Sequence, residues 1–392
     1  MRNLAQNQDE ELSKIFKVQY YEAVCNLGVK YVTKIILNIL KNSGAWELLL
    51  QRYFSASKLM NKLNYVSDRI YAFEWMLRFL VNNEHLTTQH EKDNCLYKTR
   101  IKDPEINIDE LRSSILDIDR NLLPSCEYME FISGYYTDFF QGKIGGHEIL
   151  FVKDKMRLWN EYFSNENSGY AVYNQLGALG IKKWVPEIIK DITFFEIGTG
   201  TGNASLLALN QLETSGLNDR VKNYILSDIS PIFLRLSKLN ISENYRGNIP
   251  VLIKKIDFNE PLIKQDISFK DIHVIYGVNV LHIAKDLLFS LKELYNILNP
   301  GGMLVISECI REKPSDTLVQ EIIFNLLDSY TSVKLSETYR TTPGFLTLDE
   351  WIKVFKCAGF DNIDYVINNG LVDCDKVKNC PMHAMVLRGI KK

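Results

Sequence analysis

A glycine-rich loop with a carboxylate on either side is the part of this sequence best suited to bind a charged small molecule. Gly198, Gly200 and Gly202 alternate after a short apolar run, and glycines in this pattern let the backbone approach a ligand that a side chain would block. Glu196 precedes the loop, where a carboxylate would repel a pyrophosphate but attract an ammonium group. Asp228, about 30 residues on, can accept both hydroxyls of a ribose. These residues predict a ligand with a ribose and an amino-acid moiety, and NAD is the alternative that the spacing to Asp228 also fits.

A histidine and a glutamate end two later apolar runs. His282 follows the run 272–278, and Glu308 ends the run 302–309. Because open α/β sheets bind their ligands at the carboxyl ends of the strands, the two side chains are expected to meet at one edge. A histidine that a carboxylate orients and keeps basic can remove a proton at neutral pH. The pair is a candidate base, and the alternative is a helix-capping histidine beside a surface glutamate.

The same two residues could instead belong to a metal site. With Gln320 they would supply a mixed nitrogen and oxygen ligand set for iron or manganese. Three ligand types scattered over about 40 residues fit many sequences, however. We therefore assign no metal.

The residues from about 186 onward predict the sheet that must position these groups. Short β-rich runs alternate there with helical ones, which is typical of βαβ units that build a parallel sheet with helices on both faces. Five strands are expected, with two later candidates near the end. They lie in 192–198, 223–229, 250–257, 271–280 and 302–310, and the later candidates in 361–369 and 383–389.

The front of the chain is expected to be helical. Apolar side chains recur every three or four positions in 31–54 and in 67–86, and Ser67 and Asp68 are good signals for the start of the second helix. Two short strand-like pieces follow within 85–100. Helix, helix and β-wing in this order predict a winged helix-turn-helix.

The second of these helices is better suited to packing or dimerisation than to a DNA major groove. It carries large apolar side chains with acids and bases mixed among them. These are Phe73, Trp75, Met76, Phe79 and Leu80. The alternative is a non-enzymatic regulator in which this helix binds DNA.

The loop and the strand ends resemble class I S-adenosylmethionine-dependent methyltransferases, whose first motif is [DE]-x-G-x-G-x-G. The resemblance implies a Rossmann-like seven-stranded methyltransferase sheet, α/β in class, behind an α-helical, winged-helix-like domain. It also implies S-adenosylmethionine as the cofactor. By this resemblance the methionine part lies at Glu196, Gly198, Gly200 and Gly202, the ribose at Asp228 and the adenine at Asp257 and Phe258, with Asn279 in the same site.

A second resemblance concerns the acceptor. The segment 274–308 looks like the carbon-methyltransferase domains of polyketide synthases, and 139–151 and 170–184 resemble their lead-in and substrate-side helices. In that family a His and a Glu at these strand ends form a dyad, and the methyl group goes to the acidic carbon between two carbonyls of a carrier-bound thioester. The resemblance implies His282 and Glu308 as catalytic residues and a small-molecule or carrier-bound acyl substrate.

The chain also departs from that pattern. No ketosynthase, acyltransferase or carrier domain is visible in the sequence, so a freestanding enzyme is expected. The front region is similar to the dimerisation domain of small-molecule O-methyltransferases, which suggests a homodimer. Transfer to oxygen is therefore the alternative to transfer to carbon.

The segment 313–360 is expected to form a long helix, a loop and a helix capped by Gly359. It resembles the substrate-covering insertion of the same families. Its aromatic residues Tyr330, Tyr339 and Phe345 are candidates for the acceptor pocket, and core packing is the alternative for each of them.

Length and composition set the remaining expectations. The 392 residues suggest a front domain at 1–105, a helical linker or lid at 106–185 and the methyltransferase domain at 186–392. A net charge of −2 argues against a nucleic-acid partner. Seven cysteines with no C-x-x-C pair favour reduced thiols. The acidic amino terminus, and the lack of an uninterrupted apolar segment near ~18 residues, predict a cytoplasmic protein with no membrane partner.

Overall fold

The computed structural model describes residues 12–91, 94–188, 191–265, 271–368 and 383–392. The front region combines helices with a small antiparallel sheet in the strand order β1-β3-β2. Its elements are α1 (Val18–Asn42), α2 (Ala45–Gln51), β1 (Phe54–Ser55), α3 (Ala56–Lys62), α4 (Ile70–Asn82), β2 (Thr87–Glu91) and β3 (Asn94–Lys98).

The helix predicted over 31–54 is interrupted, because α1 ends at Asn42, α2 spans Ala45–Gln51 and Phe54 begins β1. The second predicted helix contains α4, and the hairpin of β2 and β3 follows it in the place predicted for the β-wing. The start of α4 differs from the prediction. A single 3₁₀ turn occupies Ser67–Arg69, and α4 begins at Ile70 without a side-chain cap. The large apolar side chains of α4 are fully buried within the chain, which confirms packing as their role.

A middle set of helices connects this front region to the main sheet. The predicted boundary at 105 falls between β3 and α5, and the one at 185 falls between α10 and β4. The helices are α5 (Ile108–Ile118), α6 (Leu123–Ser133), α7 (Tyr136–Phe140), α8 (Gly146–Leu150), α9 (Met156–Tyr162) and α10 (Ser168–Trp184).

The main sheet has seven strands in the order β6-β5-β4-β7-β8-β10-β9, and all seven lie where the sequence predicts them. β10 is antiparallel to both of its neighbours, and the pairs from β6 to β8 are parallel. The strands are β4 (Ile192–Glu196), β5 (Val221–Asp228), β6 (Val251–Lys255), β7 (Ile272–Val278), β8 (Leu298–Cys309), β9 (Asp361–Ile367) and β10 (Ala384–Ile390).

Helices cover both faces of the sheet, as expected for buried parallel strands. Successive side chains alternate between the faces, so Phe194 and Phe195 belong to two different hydrophobic clusters. The cluster of Phe194 continues into the front region as far as Leu12, so the front helices and one face of the sheet share a core. The remaining helices are α11 (Asn203–Thr214), α12 (Pro231–Asn244), α13 (Leu287–Ile297), α14 (Glu321–Phe324), α15 (Asp328–Thr331) and α16 (Leu348–Ala358).

The long helix predicted after Pro314 is wrong, because this segment forms only the short helices α14 and α15. Residues 317–326 are buried on every side, and tertiary contacts therefore override helical propensity. The carboxylate of Glu321 accepts hydrogen bonds from the backbone of Leu318 (2.7 Å), from Trp75 Nε1 (2.9 Å) and from the Tyr330 hydroxyl (2.7 Å), and it pairs with Arg311. The chain winds around this carboxylate. The helix capped by Gly359 is confirmed.

Two features of α1 bear on the expectations from the sequence. The helix at Tyr20–Asn42 is long and apolar enough to cross a membrane, although 56% of its most apolar window is buried inside the molecule, as in a core helix. Cys25 is disulfide-bonded, so the expectation of reduced thiols is wrong for this residue. Among the residues that the structure describes, Cys95, Cys126, Cys309 and Cys357 are free thiols.

Candidate functional site

The three loop glycines adopt positive φ angles of 61°, 52° and 81° at Gly198, Gly200 and Gly202. At two of these glycines a neighbouring residue leaves no room for a side chain. A Cβ at Gly198 would lie 2.2 Å from Val280, and one at Gly202 would lie 2.9 Å from the backbone of Ser237. A Cβ at Gly200 would meet no protein atom within 4 Å. The middle of the loop therefore faces open space that a ligand could fill.

Asp228 ends β5 and holds this loop from the side. Its carboxylate accepts hydrogen bonds from the backbone N–H groups of Gly200 (3.0 Å) and Ser230 (2.8 Å). Burial raises the pKa of Asp228. A carboxylate offers about four acceptor positions, so capacity remains for ribose hydroxyls. The structure thus brings Asp228 and Gly200 together as the sequence predicts.

Glu196 lies beneath the loop and is almost completely buried. One of its oxygens accepts from the Ser205 hydroxyl (2.9 Å), and the other accepts from the Tyr224 hydroxyl (2.6 Å). Burial, the largest cause, raises the pKa of Glu196 to about 7. The carboxylate therefore links the end of β4 to α11 and β5.

Asp257 and Phe258 follow β6 and lie beside the end of β5. The backbone N–H of Ile256 donates to the carbonyl of Asp228 (3.1 Å), which joins the two strand ends. Asp257 accepts from the backbone and the side-chain amide of Asn259 (2.9 and 3.1 Å). Phe258 is partly buried against the second hydrophobic cluster. The sequence-predicted carboxylate and ring thus stand next to each other at the carboxyl edge.

Asn279 joins the ends of β7 and β8. It has a φ of 47°, a left-handed conformation that asparagine tolerates better than most residues. Its backbone N–H donates to the carbonyl of Ser307 (2.8 Å), and its side-chain oxygen accepts from the backbone of Cys309 (2.7 Å). These bonds fix the start of the segment that carries His282.

His282 and Glu308 are in contact. His282 Nδ1 lies 2.7 Å from Glu308 Oε2, and both side chains are buried. The other oxygen, Oε1, accepts from the backbone N–H groups of Val280 (3.0 Å) and Leu281 (2.9 Å). Because an ionised carboxylate only accepts hydrogen bonds, we assign the proton to Nδ1, which leaves Nε2 of a neutral ring as the basic nitrogen.

Arg340 is a residue of the site that the sequence analysis missed. Its guanidinium is buried and donates to the carbonyl oxygens of Ala284 (2.6 Å) and His282. Burial lowers the pKa of Arg340 to about 10. The two bonds hold the single turn Leu281–Ile283 that presents the imidazole. A single arginine in a segment of polar and aromatic residues gives no sequence signal for this role.

Aromatic rings surround the imidazole of His282. The ring centroids of Phe345, Tyr330 and Phe324 lie 4.6, 5.9 and 6.2 Å from it. Two of the three predicted pocket aromatics are therefore beside the dyad. Tyr339 instead packs against the second hydrophobic cluster, and Phe324 takes the third place.

A narrow apolar cavity, called here the inner cavity, extends from this aromatic group to helix α1. Its volume is ≈ 70 Å³. It is bounded by α1, α5, α6, α10 and the strand ends. Its lining includes Val24, Gly28, Tyr31, Val32, Ile115, Leu122, Cys126, Met129, Tyr162, Tyr170, Tyr173, Asn279, Cys309, Val319, Gln320, Phe324 and Phe345.

Gln320, the third residue of the metal alternative, is bonded elsewhere in the site. Its amide nitrogen donates to Cys309 Sγ (2.7 Å) and to the Tyr173 hydroxyl (3.3 Å). Within the described part of the chain, no group of three or more His, Cys, Asp or Glu side chains is placed to hold a metal ion. His282 and Glu308 bond to each other instead.

Comparison with known families identifies the domain around this site. Residues 195–304 match the family described as "Methyltransferase domain". Among curated proteins, probable polyketide synthase 41 of Dictyostelium discoideum is 23% identical over 89% of this chain and 16% of its own length. Probable polyketide synthase 26 of the same organism is 27% identical over 86% of this chain and 12% of its own length. The chain thus spans less than a fifth of either relative.

Solved structures share the whole fold. The CurJ carbon methyltransferase superposes with a TM-score of 0.78 at 18% identity, covering 99% of this chain and 97% of that one. The CMeT domain of the citrinin polyketide synthase gives a TM-score of 0.79 at 14% identity, covering 99% and 95%. At such identities the similarity establishes the fold, including the helical front region together with the sheet.

Proposed function

Since the chain carries a class I, S-adenosylmethionine-dependent methyltransferase domain, we propose that it methylates the acidic carbon of a small acyl-thioester acceptor, with His282 as the base. The observation that carries this proposal is the buried contact between His282 Nδ1 and Glu308 Oε2 (2.7 Å) at the carboxyl ends of neighbouring strands. A carbon between two carbonyl groups still carries its proton at neutral pH, so an oriented and carboxylate-supported base is needed before that carbon can act as a nucleophile.

The residues around the loop fit S-adenosylmethionine. A Cβ at Gly200 would fill space that no protein atom uses, and Asp228 keeps acceptor capacity beside it. Glu196 supports the loop from beneath in this proposal, because both of its oxygens are bonded to neighbouring side chains. The groups assigned to the cofactor are the loop glycines Gly198, Gly200 and Gly202, Glu196 below them, Asp228, Asp257, Phe258 and Asn279.

The bound cofactor would supply an electrophilic methyl group. His282 Nε2 takes the proton from the carbon that lies between two carbonyl groups of the acceptor, and the electron pair of the broken C–H bond stays on that carbon. Glu308 holds the imidazole in the required tautomer and stabilises the imidazolium that forms. Arg340 keeps the turn in place. The carbanion is then the nucleophile that would take the methyl group, and the electron pair of the broken S–CH₃ bond would stay on the cofactor sulfur as a neutral thioether. The residues of the site contribute the alignment of the two reactants.

The identity of the acceptor rests on the relatives. Proteins named polyketide synthases match most of this chain, and two structural neighbours are carbon methyltransferases by name. We therefore propose a polyketide-like acyl thioester, delivered by a carrier protein in a cytoplasmic setting. A homodimer is also proposed, but through surfaces other than α4. A DNA-binding regulator is not favoured, because the apolar side chains of α4 are buried within the chain.

The test is methyl transfer to acetoacetyl-N-acetylcysteamine compared with a phenolic acceptor. We expect a product methylated at the carbon between the carbonyls, located by NMR, with one demethylated cofactor formed per methyl group transferred. His282→Ala should reduce transfer roughly 10²–10⁴-fold while cofactor affinity stays near the wild-type value. Transfer to the phenol alone would replace this proposal with an oxygen methyltransferase.

A further inference from the structure

We propose that the inner cavity binds the alkyl tail of the acyl acceptor and that Gly28 on α1 sets the tail length that is accepted. This inference rests on the proposed function. The cavity begins beside the dyad: Asn279 and Cys309 line it, and Cys309 directly follows Glu308. Phe345, whose ring contacts His282, lines it as well. An acceptor held at His282 can therefore extend its tail towards α1.

The chemistry of the lining selects an apolar ligand. Aliphatic side chains of α1, α5 and α6 line the far part, namely Val24, Val32, Ile115 and Met129. The Tyr31 hydroxyl, which also lies there, donates to Glu130 (2.5 Å) and to the carbonyl of Cys126 (3.3 Å). Its polar group is thus bonded within the protein. A cavity holds water only where several polar partners converge, so an alkyl group is the better occupant.

Gly28 is the residue that keeps the far end open. It lies in the interior of the 25-residue helix α1, where glycine costs roughly 0.5–1 kcal/mol relative to alanine. Neither a positive φ nor a close neighbour requires a glycine here, because a Cβ at Gly28 would meet no atom within 4 Å. The missing side chain therefore contributes empty space where Gly28 lines the cavity.

The size of the cavity limits the tail. Its ≈ 70 Å³ is under half of the roughly 150 Å³ cavity that holds a benzene molecule. A short tail of a few carbon atoms fits, and longer tails would have to displace the lining. Within that limit each methylene that leaves water should improve binding about fourfold.

The experiment uses the full chain and a series of β-ketoacyl-N-acetylcysteamine thioesters whose tails grow from methyl to heptyl. Both kcat/KM for methyl transfer and binding in the presence of the demethylated cofactor are measured. Gly28→Leu fills the far end, and Val24→Ala, one helical turn earlier, enlarges it. Asn26→Leu is the matched control, since it adds the same side chain to the same helix at an exposed position.

For the wild type we expect affinity to rise about fourfold per methylene over the first members and then to fall. Gly28→Leu should lower kcat/KM at least tenfold for the longest accepted tail and leave the methyl member within about twofold. Val24→Ala should move the optimum to a longer tail, and Asn26→Leu should match the wild type. Equal tail preferences in Gly28→Leu and the wild type would overturn the inference.

The two proposals fail in different ways. If the wild type binds the series with the expected preference but transfers no methyl group to it, the cavity inference stands and the proposed reaction is wrong. If methyl transfer proceeds at equal efficiency for all tails, the reaction stands and the cavity is not a tail pocket. If no member of the series binds, the cavity inference is overturned.

Discussion

Replacing Glu308 with glutamine tests the dyad with the least disturbance to the fold. Glu308 Oε1 accepts two backbone N–H bonds, from Val280 and Leu281, and Oε2 faces His282 Nδ1. A glutamine of the same shape must place its amide oxygen at the two backbone donors, because the reverse orientation would set donors against donors at a cost of about 1–3 kcal/mol for each unsatisfied group. Its –NH₂ group then faces the imidazole.

This orientation reverses the hydrogen bond between the two side chains. The amide donates to Nδ1, so the proton of the neutral ring moves to Nε2, and the nitrogen that should accept the substrate proton is blocked. Loss of a positioned base costs roughly 10²–10⁴ in rate, or about 3–5 kcal/mol of transition-state stabilisation. Folding and cofactor affinity should change little, because every hydrogen bond keeps a partner.

The assay is the rate of methyl transfer to acetoacetyl-N-acetylcysteamine between roughly pH 5 and pH 8, about 1.5 pH units on either side of the ordinary histidine pKa, with cofactor affinity measured by calorimetry. Glu312→Gln, four positions along the chain and exposed, is the matched control and should behave as the wild type. A Glu308→Gln protein that turns over at the wild-type rate at neutral pH would refute the tautomer argument. Loss of cofactor binding in the same protein would show that Glu308 supports the fold instead.

Three other perturbations follow from the site. Gly200→Val should abolish cofactor binding in calorimetry. Gly216→Val should retain it, since Gly216 also has a positive φ and no atom within 4 Å of an added Cβ. Equal affinities of the two variants would show that the loop does not bind the cofactor. Because the pKa of Glu196 is raised from 4.5 to about 7, the folded state binds a proton more tightly than the unfolded state. As the pH rises between these two values, the wild type should lose up to about 3 kcal/mol of unfolding free energy relative to Glu196→Gln. A difference between the two proteins that does not depend on pH in denaturant titrations would contradict the shift. Arg340→Lys should lower kcat about 10²-fold at unchanged cofactor affinity, and a wild-type kcat would show that the turn at His282 keeps its place without the guanidinium.

The strand ends were the most predictable part of the molecule. Parallel strands bring their carboxyl ends to one edge, so residues that are far apart in sequence, such as Asp228 and the loop at Gly200, can be placed together from the alternation of strands and helices alone. The contact between His282 and Glu308 follows from the same geometry. All seven strands could be found because each is a short apolar run bounded by polar turns.

Other features depend on tertiary contacts that the sequence does not reveal. The spacing of apolar residues in 317–326 resembles that of a helix, but burial on every side allows the chain to wind around Glu321 instead. Arg340 comes from a loop whose path depends on that winding. The burial of Glu196 could have been anticipated, since it shares a face with Phe194 in a strand of period two. The disulfide at Cys25 had no usable signal in the cysteine spacing.

The hydrogen bond from Trp75 in the front region to Glu321 decides which part of the chain can fold by itself. Glu321 also accepts a hydrogen bond from the hydroxyl of Tyr330, whose ring contacts His282. A fragment beginning near residue 186 would lack Trp75, so the buried carboxylate of Glu321 would lose one of its donors. One face of the sheet would also lose the helices that cover it. Such a fragment should be insoluble or inactive. The portable unit that recombination or engineering could move between assemblies is therefore the chain with its front region attached.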